Sequence, residues 1–259
     1  VVGDQKFKII TTISCFYDMA DPNSFVSDIT KILDSDGLWV VQQNYLVGML
    51  TQNAFDNIVH EHVFYYSLLS LESLLKRYGL EVFHVELNDI NGGSFRTYIR
   101  FKKEQPTNIS VLALRQGEKA LGLDNKDIYF KFAKRIESIS QRIHQYVKEG
   151  VGEGKTFYTL SASTRGSTLL QTCKLNNRLL RASIERNPEK VGKVYSSLQI
   201  PIISEEQARK DNPNFMFLLP WFFQEEIIKR EQEYLQKNGS FLIPLPKPKI
   251  ISKDEEVVI

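Results

Sequence analysis

Apolar positions first cluster in FKIITTISCF, Phe7 to Phe16, where β-branched and apolar types run together without helical spacing. Such a run predicts a strand buried in a parallel sheet. Asp21-Pro22-Asn23 follows, and a capping Asp or Asn beside a proline predicts a helix start. From Ser24 to Leu33, the residues Phe25, Ile29, Ile32 and Leu33 share one helical face. Asp36-Gly37 punctuates the chain, and GLWVVQQN predicts the next strand. Strand, helix, strand is the order of a parallel α/β sheet.

An irregular stretch containing HEHVFYYS leads to a helix over Ser70 to Tyr78, with Gly79 placed to end it in a left-handed conformation. LEVFHVEL and SFRTYIRF alternate about the turn Asn91-Gly92-Gly93, which predicts an antiparallel pair at the end of the parallel sheet. Asp124 to Lys148 carries Ile128, Phe132, Ile136, Ile139, Ile143 and Tyr146 at helical spacing and predicts one long helix, followed by the flexible run GVGEGK. A second α/β unit then reads as strand TFYTLSA, loop STRGS, helix STLLQTCKL and strand RLLRASIE. IPIIS, NFMFLLP and GSFLIPLP add strands, with QARK and EEIIKREQEYLQ as helices between them. The tail KPKIISKDEEVVI is expected to fray or dock loosely. Three parts result: 1–103 and 151–259 as α/β lobes, and 104–150 as linker and bridging helix.

Composition narrows the function classes. Of 259 residues, 42% are hydrophobic and 25% charged, which gives enough apolar material for a packed core and excludes a disordered chain. The net charge of +2 supports neither a general nucleic-acid binder nor an anionic-membrane binder. No apolar stretch approaches the roughly 20 residues that span a bilayer. Two cysteines, Cys15 and Cys173, cannot alone form a disulfide framework or a thiolate zinc cage. A cytoplasmic location is the default expectation, with no resident metal.

Reactive side chains are densest at His60-Glu61-His62, followed by Tyr65-Tyr66-Ser67. One histidine could act as a general base oriented by Glu61, or both could be structural. The spacing is not His-Glu-x-x-His, and a third metal ligand is missing. Asn91-Gly92-Gly93-Ser94 is either a tight hairpin or a close ligand approach, with Arg96 on the same strand face as Ser94. Ser163-Thr164-Arg165-Gly166, between a strand and a helix, could present backbone N–H groups to phosphate or simply cap the helix. Glu185 and Arg186 follow the next strand, where a ribose and a phosphate could meet them. Trp221, after an apolar run, either packs or covers a flat ligand. No GxGxxG segment occurs, which weakens a dinucleotide-dependent oxidoreductase.

The segments FYDMADPNSFVSDITKIL, NAFDNIVHEHVFYYSLLSLESLLKRYGLEVFHVELNDINGGSFR, SASTRGSTLLQ, SIERNPEKVGKVY, IPIISEEQA and LLPWFF occur in this order. Together they resemble the class I S-adenosylmethionine-dependent C-methyltransferases of nucleotide-linked keto-deoxy sugars, over nearly the whole chain. The resemblance implies a partial Rossmann-like methyltransferase sheet followed by a second Rossmann-like α/β domain, the sequence entering at the fourth strand of the methyltransferase domain. It places the cofactor loop and a four-cysteine zinc module upstream. Ser14, Cys15 and Phe16 would then border the S-adenosylmethionine pocket.

By the same resemblance His62 removes the proton next to the sugar ketone, Glu61 assists, and Tyr65 and Tyr66 steady the enolate oxygen. His60, Asn91, Gly92, Gly93, Ser94 and Arg96 would shape the sugar pocket. Ser163 to Gly166, Glu185, Arg186 and Trp221 would hold the nucleotide diphosphate. The sequence departs from the family pattern at Val59, where an aromatic residue or Cys is common, and at Phe222, where the family has a His. Oligomeric state is left open, with a homodimer among the expectations. A nucleotide-sugar-binding or scaffold fragment without turnover is the rival reading.

Overall fold

The computed structural model describes Gly3 and residues 5–259. Strand β1, Phe7–Ile13, is followed by helix α1, Pro22–Ile32. Asp21 caps α1, its side chain accepting from the Asn23 and Ser24 N–H groups, with Pro22 at the first turn. Strand β2, Leu33–Asn44, lies parallel to β1, with Thr12 opposite Val41 and Ile13 opposite Gln42. Helix α2, Leu46–Thr51, comes next, then α3, Leu68–Lys76, and the strands β3, Leu80–Asn88, and β4, Ser94–Phe101. Gly79 closes the connection after α3 with φ of +68°.

The expected antiparallel pair is present: β4 lies between β2 and β3, antiparallel to both, giving the order β1-β2-β4-β3. One face of this sheet packs Trp39, Val41, Phe95, Ile99 and Val82 against Val26 and Ile29 of α1 and the leucines of α3. Burying each such side chain contributes about 1.5–3 kcal/mol.

Helix α4, Ile109–Leu121, occupies a stretch that the sequence leaves as linker. Its apolar face is narrow, with Val111 buried and Leu114 partly so, and its other buried residue is the charged Glu118. Helix α5, Lys126–Gly152, is the expected long helix, and it buries Phe132, Ile139, Ile143 and Val147.

The chain forms two compact units. One comprises residues up to Thr51 and His60–Phe130; the other comprises Gln52–Val59 and Lys131–Ile259. The division falls inside α5, and eight residues from the middle of the first half belong with the second unit.

The second unit continues with β5, Phe157–Leu160, α6, Thr164–Thr172, and β6, Ala182–Glu185. The short β7, Val194–Tyr195, precedes β8, Ile200–Ser204, α7, Glu205–Asp211, and β9, Phe215–Leu218. The expected single helix over 225–236 is two, α8, Gln224–Arg230, and α9, Gln232–Gln236, broken at Glu231. Strand β10, Ser240–Ile243, is followed by β11, Lys249–Ile251, and β12, Glu256–Val258. The tail therefore neither frays nor docks loosely: β11 pairs antiparallel with β10, and β12 with β11.

The sheet order is β12-β11-β10-β9-β5-β6-β8-β7, parallel from β10 through β8. From β5 the chain winds outward first through β6 and β8, then back through β9 and β10. The strand order therefore reverses between β5 and β9, the topological switch point where such sheets bind ligands. The chain is a mixed α/β protein, with two sheets among the described residues.

Candidate functional site

In the first unit the candidates gather where β1 and β2 end. After β1 the backbone turns at Ser14, with φ of 53°, and the Ser14 N–H donates to Gln42 O at 2.8 Å. Ser14 is exposed and Cys15 half-buried, whereas Phe16 is fully buried between Trp39, Phe25 and Tyr66. A 3-10 turn over Phe16–Asp18 then meets the histidine segment: Val63 N and Phe64 N both donate to Tyr17 O at 3.0 Å. Tyr66 stacks on Phe16 with ring centroids 5.1 Å apart, and its carbonyl accepts from Leu46 N at 2.9 Å, just beyond β2. The segment from His60 to Tyr66 is thus laid across two strand ends.

This lay gives the two histidines different surroundings. His62 is half-buried and sits edge-on to the Tyr17 ring, centroids 4.5 Å apart. The side chain of His60 is 82% exposed, and its Nε2 lies 3.8 Å from Glu61 Oε1. The carboxylate adjacent in sequence to both histidines therefore faces His60. A second carboxylate, which no local sequence signal marks, is Asp18. Its pKa is raised by burial, drawn back by the charge of His62 and pushed up again by Glu61, so all three groups lie within electrostatic reach. Burial also raises the Tyr65 hydroxyl, and pushes Tyr66 up to about 12; both phenols are protonated donors at neutral pH.

The Asn91–Ser94 turn is fixed against the same strand end. Gly93 O accepts from Tyr45 N at 3.1 Å, and the Ser94 hydroxyl donates within the turn to Ile90 O at 2.8 Å. Gly93 has φ of 118°, and a Cβ there would meet the Cα of Gly48, in α2, at 3.0 Å. Gly93→Ala is expected to destabilise the first unit by about 1–3 kcal/mol through backbone strain and to displace the turn. Thermal unfolding of the variant checks this; an unchanged Tm would show that the close approach is not required. Arg96 is engaged across the sheet, its Nε and one terminal nitrogen donating to Gln42 Oε1 at 2.8 and 2.6 Å, with Glu86 3.5 Å away.

A buried carboxylate that the sequence reading missed holds the far end of the histidine segment. Glu118, 1% exposed, accepts from the Leu68 and Leu69 N–H groups at 2.6 and 2.9 Å, and from the Tyr45 hydroxyl at 2.8 Å. It supplies negative charge to the amino end of α3, next to the Ser67–Ser70 capping box.

In the second unit the loops after β5 and β9 stand at the switch point. Ser163 caps α6, accepting from Gly166 N at 3.1 Å. Two other N–H groups of this loop are committed: Ser163 N to the Tyr195 hydroxyl at 2.8 Å, and Ala162 N to Glu185 Oε2 at 3.1 Å. Glu185 also accepts from the Arg186 and Asn187 N–H groups, with Lys190 at 3.4 Å. Burial opposes its ionisation, but the backbone donors and Lys190 outweigh it, so its pKa lies below the ordinary carboxylate value. Thr164 is exposed, and Arg186 is exposed with its Nε 3.6 Å from Glu205. Arg165 and Trp221 both reach Asp56, a 1%-exposed residue of the 52–59 segment. Trp221 is buried, so its ring packs inside the unit.

Among the described residues no helix is long and apolar enough to cross a membrane, and no group of three His, Cys, Asp or Glu side chains could hold a metal ion.

An α/β unit bearing a histidine, two phenols and a glycine turn at its strand ends, followed by a doubly wound unit, fits the comparisons with known proteins. Residues 89–246 match the family model for the C-methyltransferase C-terminal domain, and residues 2–85 match a methyltransferase domain. The chain belongs to this C-methyltransferase family. The C-methyltransferase NovU of Streptomyces niveus is 34% identical over 241 residues, which are 93% of this chain and 57% of that protein. The chain thus spans little more than half the length of that relative. Among solved structures, a chain from the complex of the Haloferax volcanii Trm112 methyltransferase activator is 15% identical, with a TM-score of 0.32, covering 39% of this chain and 56% of that one. A likeness of that size carries no argument.

Proposed function

We propose that the chain is the acceptor-handling part of an S-adenosylmethionine-dependent C-methyltransferase, acting on the carbon next to the ketone of a nucleotide-linked deoxy sugar. The observation that carries this reading is the seating of His62 on Tyr17 at the carboxyl end of a parallel strand, with Asp18 in electrostatic reach and Tyr65 three residues on.

A ketone acidifies the neighbouring C–H, and an imidazole that titrates near neutrality is suited to take that proton. In this reading His62 accepts the α-proton, and the electron pair left behind forms an enolate. Asp18 stabilises the protonated imidazole through its negative charge. Tyr65, kept protonated by burial, donates to the enolate oxygen. The Asn91–Ser94 turn bounds the sugar, and alignment of its carbon is its contribution to the rate.

For the methyl donor, the exposed Ser14 and half-buried Cys15 after the end of β1 would border the bound group, with Phe16 packed behind them. S-adenosylmethionine, when bound, supplies an electrophilic methyl group. Bound there, it would supply that methyl group to the α-carbon with its sulfur leaving as a neutral thioether, while His62 would pass the abstracted proton to solvent. The second unit holds the nucleotide diphosphate at its switch point, beside the first turn of α6 and the strand end that carries Glu185.

The test is product analysis on the full-length enzyme, given methyl-labelled donor and a panel of nucleotide-linked keto-deoxy sugars. The expected product carries the label on carbon next to the former ketone. Label on a hydroxyl oxygen, or transfer to none of the panel, overturns the reading.

A further inference from the structure

A cavity of about 650 Å³ lies within the second unit, between α5 and the turn that ends α6. That volume is in the range of small-molecule sites. Along α5, Phe132, Ile139, Ile143 and Val147 form the buried stripe. Ile136, Ser140 and His144 run beside it at steps of four, and residues so spaced share a helix face. Helix α6 ends at Thr172, and Lys174 then turns left-handed, with φ of 53°. Leu175 N reaches back to Leu170 O at 2.9 Å, so the helix stops and the Cys173 carbonyl takes its partner from outside it. That partner is His144 Nδ1, at 3.0 Å.

A carbonyl only accepts, so Nδ1 carries the hydrogen, and Nε2 of the neutral ring offers a lone pair. Nε2 has no partner among the described residues. Ser140, one turn earlier, is 7% exposed, and its hydroxyl has no hydrogen-bond partner at normal geometry. The Cys173 thiol is no substitute. Burial pushes it up to about 12, with Ser140 drawing it only partly back, so it stays an S–H group, a weak donor and acceptor. Other polar groups on the lining are engaged: Gln141 and Gln145 donate to Glu137 and Glu149, and the Thr172 hydroxyl donates to Thr168 O. Ala133 and Ile136 supply apolar wall, while Glu137 and Lys174 bring one charge of each sign.

We propose that this cavity binds a small neutral molecule with an apolar or aromatic body and one hydroxyl, which donates to His144 Nε2 and accepts from Ser140. The two unpartnered groups ask for opposite things. Nε2 needs a donor, and the buried serine hydroxyl needs an acceptor. A hydroxyl is the smallest group that meets both at once. An ether or ketone could only accept, and a carboxylate or phosphate would set its charge against the Nε2 lone pair. The balanced charges of Glu137 and Lys174 favour neither sign of ion. The cavity shares no residue with the methyl-transfer site, so it stands or falls apart from that chemistry.

Phenol and anisole are titrated into the whole chain, with backbone amide chemical shifts read at residues 133–145 and 172–174. Phenol is expected to shift these amides saturably. Anisole, whose methyl ether cannot donate, should bind about three- to tenfold more weakly, the worth of one hydrogen bond. Ser140→Ala should weaken phenol by a similar factor and leave Tm unchanged or raised, because the hydroxyl has no partner in the fold. His144→Asn keeps an N–H for the Cys173 carbonyl but removes the Nε2 lone pair, so it should weaken phenol and spare anisole. Absence of saturable shifts at these positions overturns the proposal, as does equal binding of phenol and anisole. A lower Tm for Ser140→Ala with unchanged phenol affinity also overturns it, since the hydroxyl would then serve the fold. So would shifts of the same amides on dilution without probe, which would put a second copy of the chain in the groove. Should either variant fail to fold, the comparison of the two probes on the unaltered chain decides.

Discussion

His62→Gln in the full-length enzyme is expected to lower turnover by about 10² to 10⁴, the largest effect of any single change. Gln retains much of the polar volume but cannot accept a proton near neutral pH. The packing that holds the segment should survive, since Val63 and Phe64 bond to Tyr17 through backbone groups and Tyr66 stacks on Phe16. The sugar's binding constant should therefore change little beside the rate. His60→Gln is the matched control. That side chain is 82% exposed and beside Glu61, so its replacement should cost far less. Comparable losses at both positions, or a near-normal His62→Gln, would show that the seating on Tyr17 does not select the base.

Glu118→Ala carries the largest expected loss of stability. The substitution strands the Leu68 and Leu69 N–H groups and the Tyr45 hydroxyl, all of which the carboxylate satisfies. A hydrogen bond to a charged group contributes about 1.5–3 kcal/mol, and stranded buried donors add a penalty of their own. A loss of about 3 kcal/mol or more is expected, which is roughly 6–12 °C in Tm for a protein of this size. Glu118→Gln keeps one acceptor oxygen but turns an NH2 towards a backbone donor, so it should fall between. Scanning calorimetry of both variants measures this. Equal Tm values for wild type and Glu118→Ala would mean that water replaces the carboxylate at the start of α3.

The two buried carboxylates, Asp56 and Glu118, are illegible in the sequence for the same physical reason. Acidic residues in polar stretches are usually solvated. Their burial depends on partners 50 to 165 positions away, namely Leu68 and Tyr45 for Glu118, and Arg165 and Trp221 for Asp56. Local signals fared better. The Asp21-Pro22 start of α1, the left-handed Gly79 and the β3–β4 pair each follow from chemistry within a few residues. Helix α4 is not legible because its inward face offers little beyond Val111 and Leu114 to set a period, and its other buried residue is Glu118. The tail strands β11 and β12 are three residues each, framed by lysines and acids, and only their pairing beside β10 makes them strands. At the site, the clustering of His60, His62, Tyr65 and the Asn91–Ser94 turn beyond strand ends followed from the α/β order. Which histidine packs on a ring and which points outward did not, because alternation along an irregular loop has no fixed period.

On the proposed reading, His62 removes the proton next to the ketone. The most direct test of this step is wash-in of solvent deuterium at that carbon, followed by mass spectrometry on the nucleotide-linked keto sugar with the full-length enzyme and no methyl donor. Wild type is expected to incorporate one deuteron at the α-carbon, and His62→Gln to incorporate it slower by about 10² or more while still binding the sugar. Equal incorporation by the two proteins would contradict the claim.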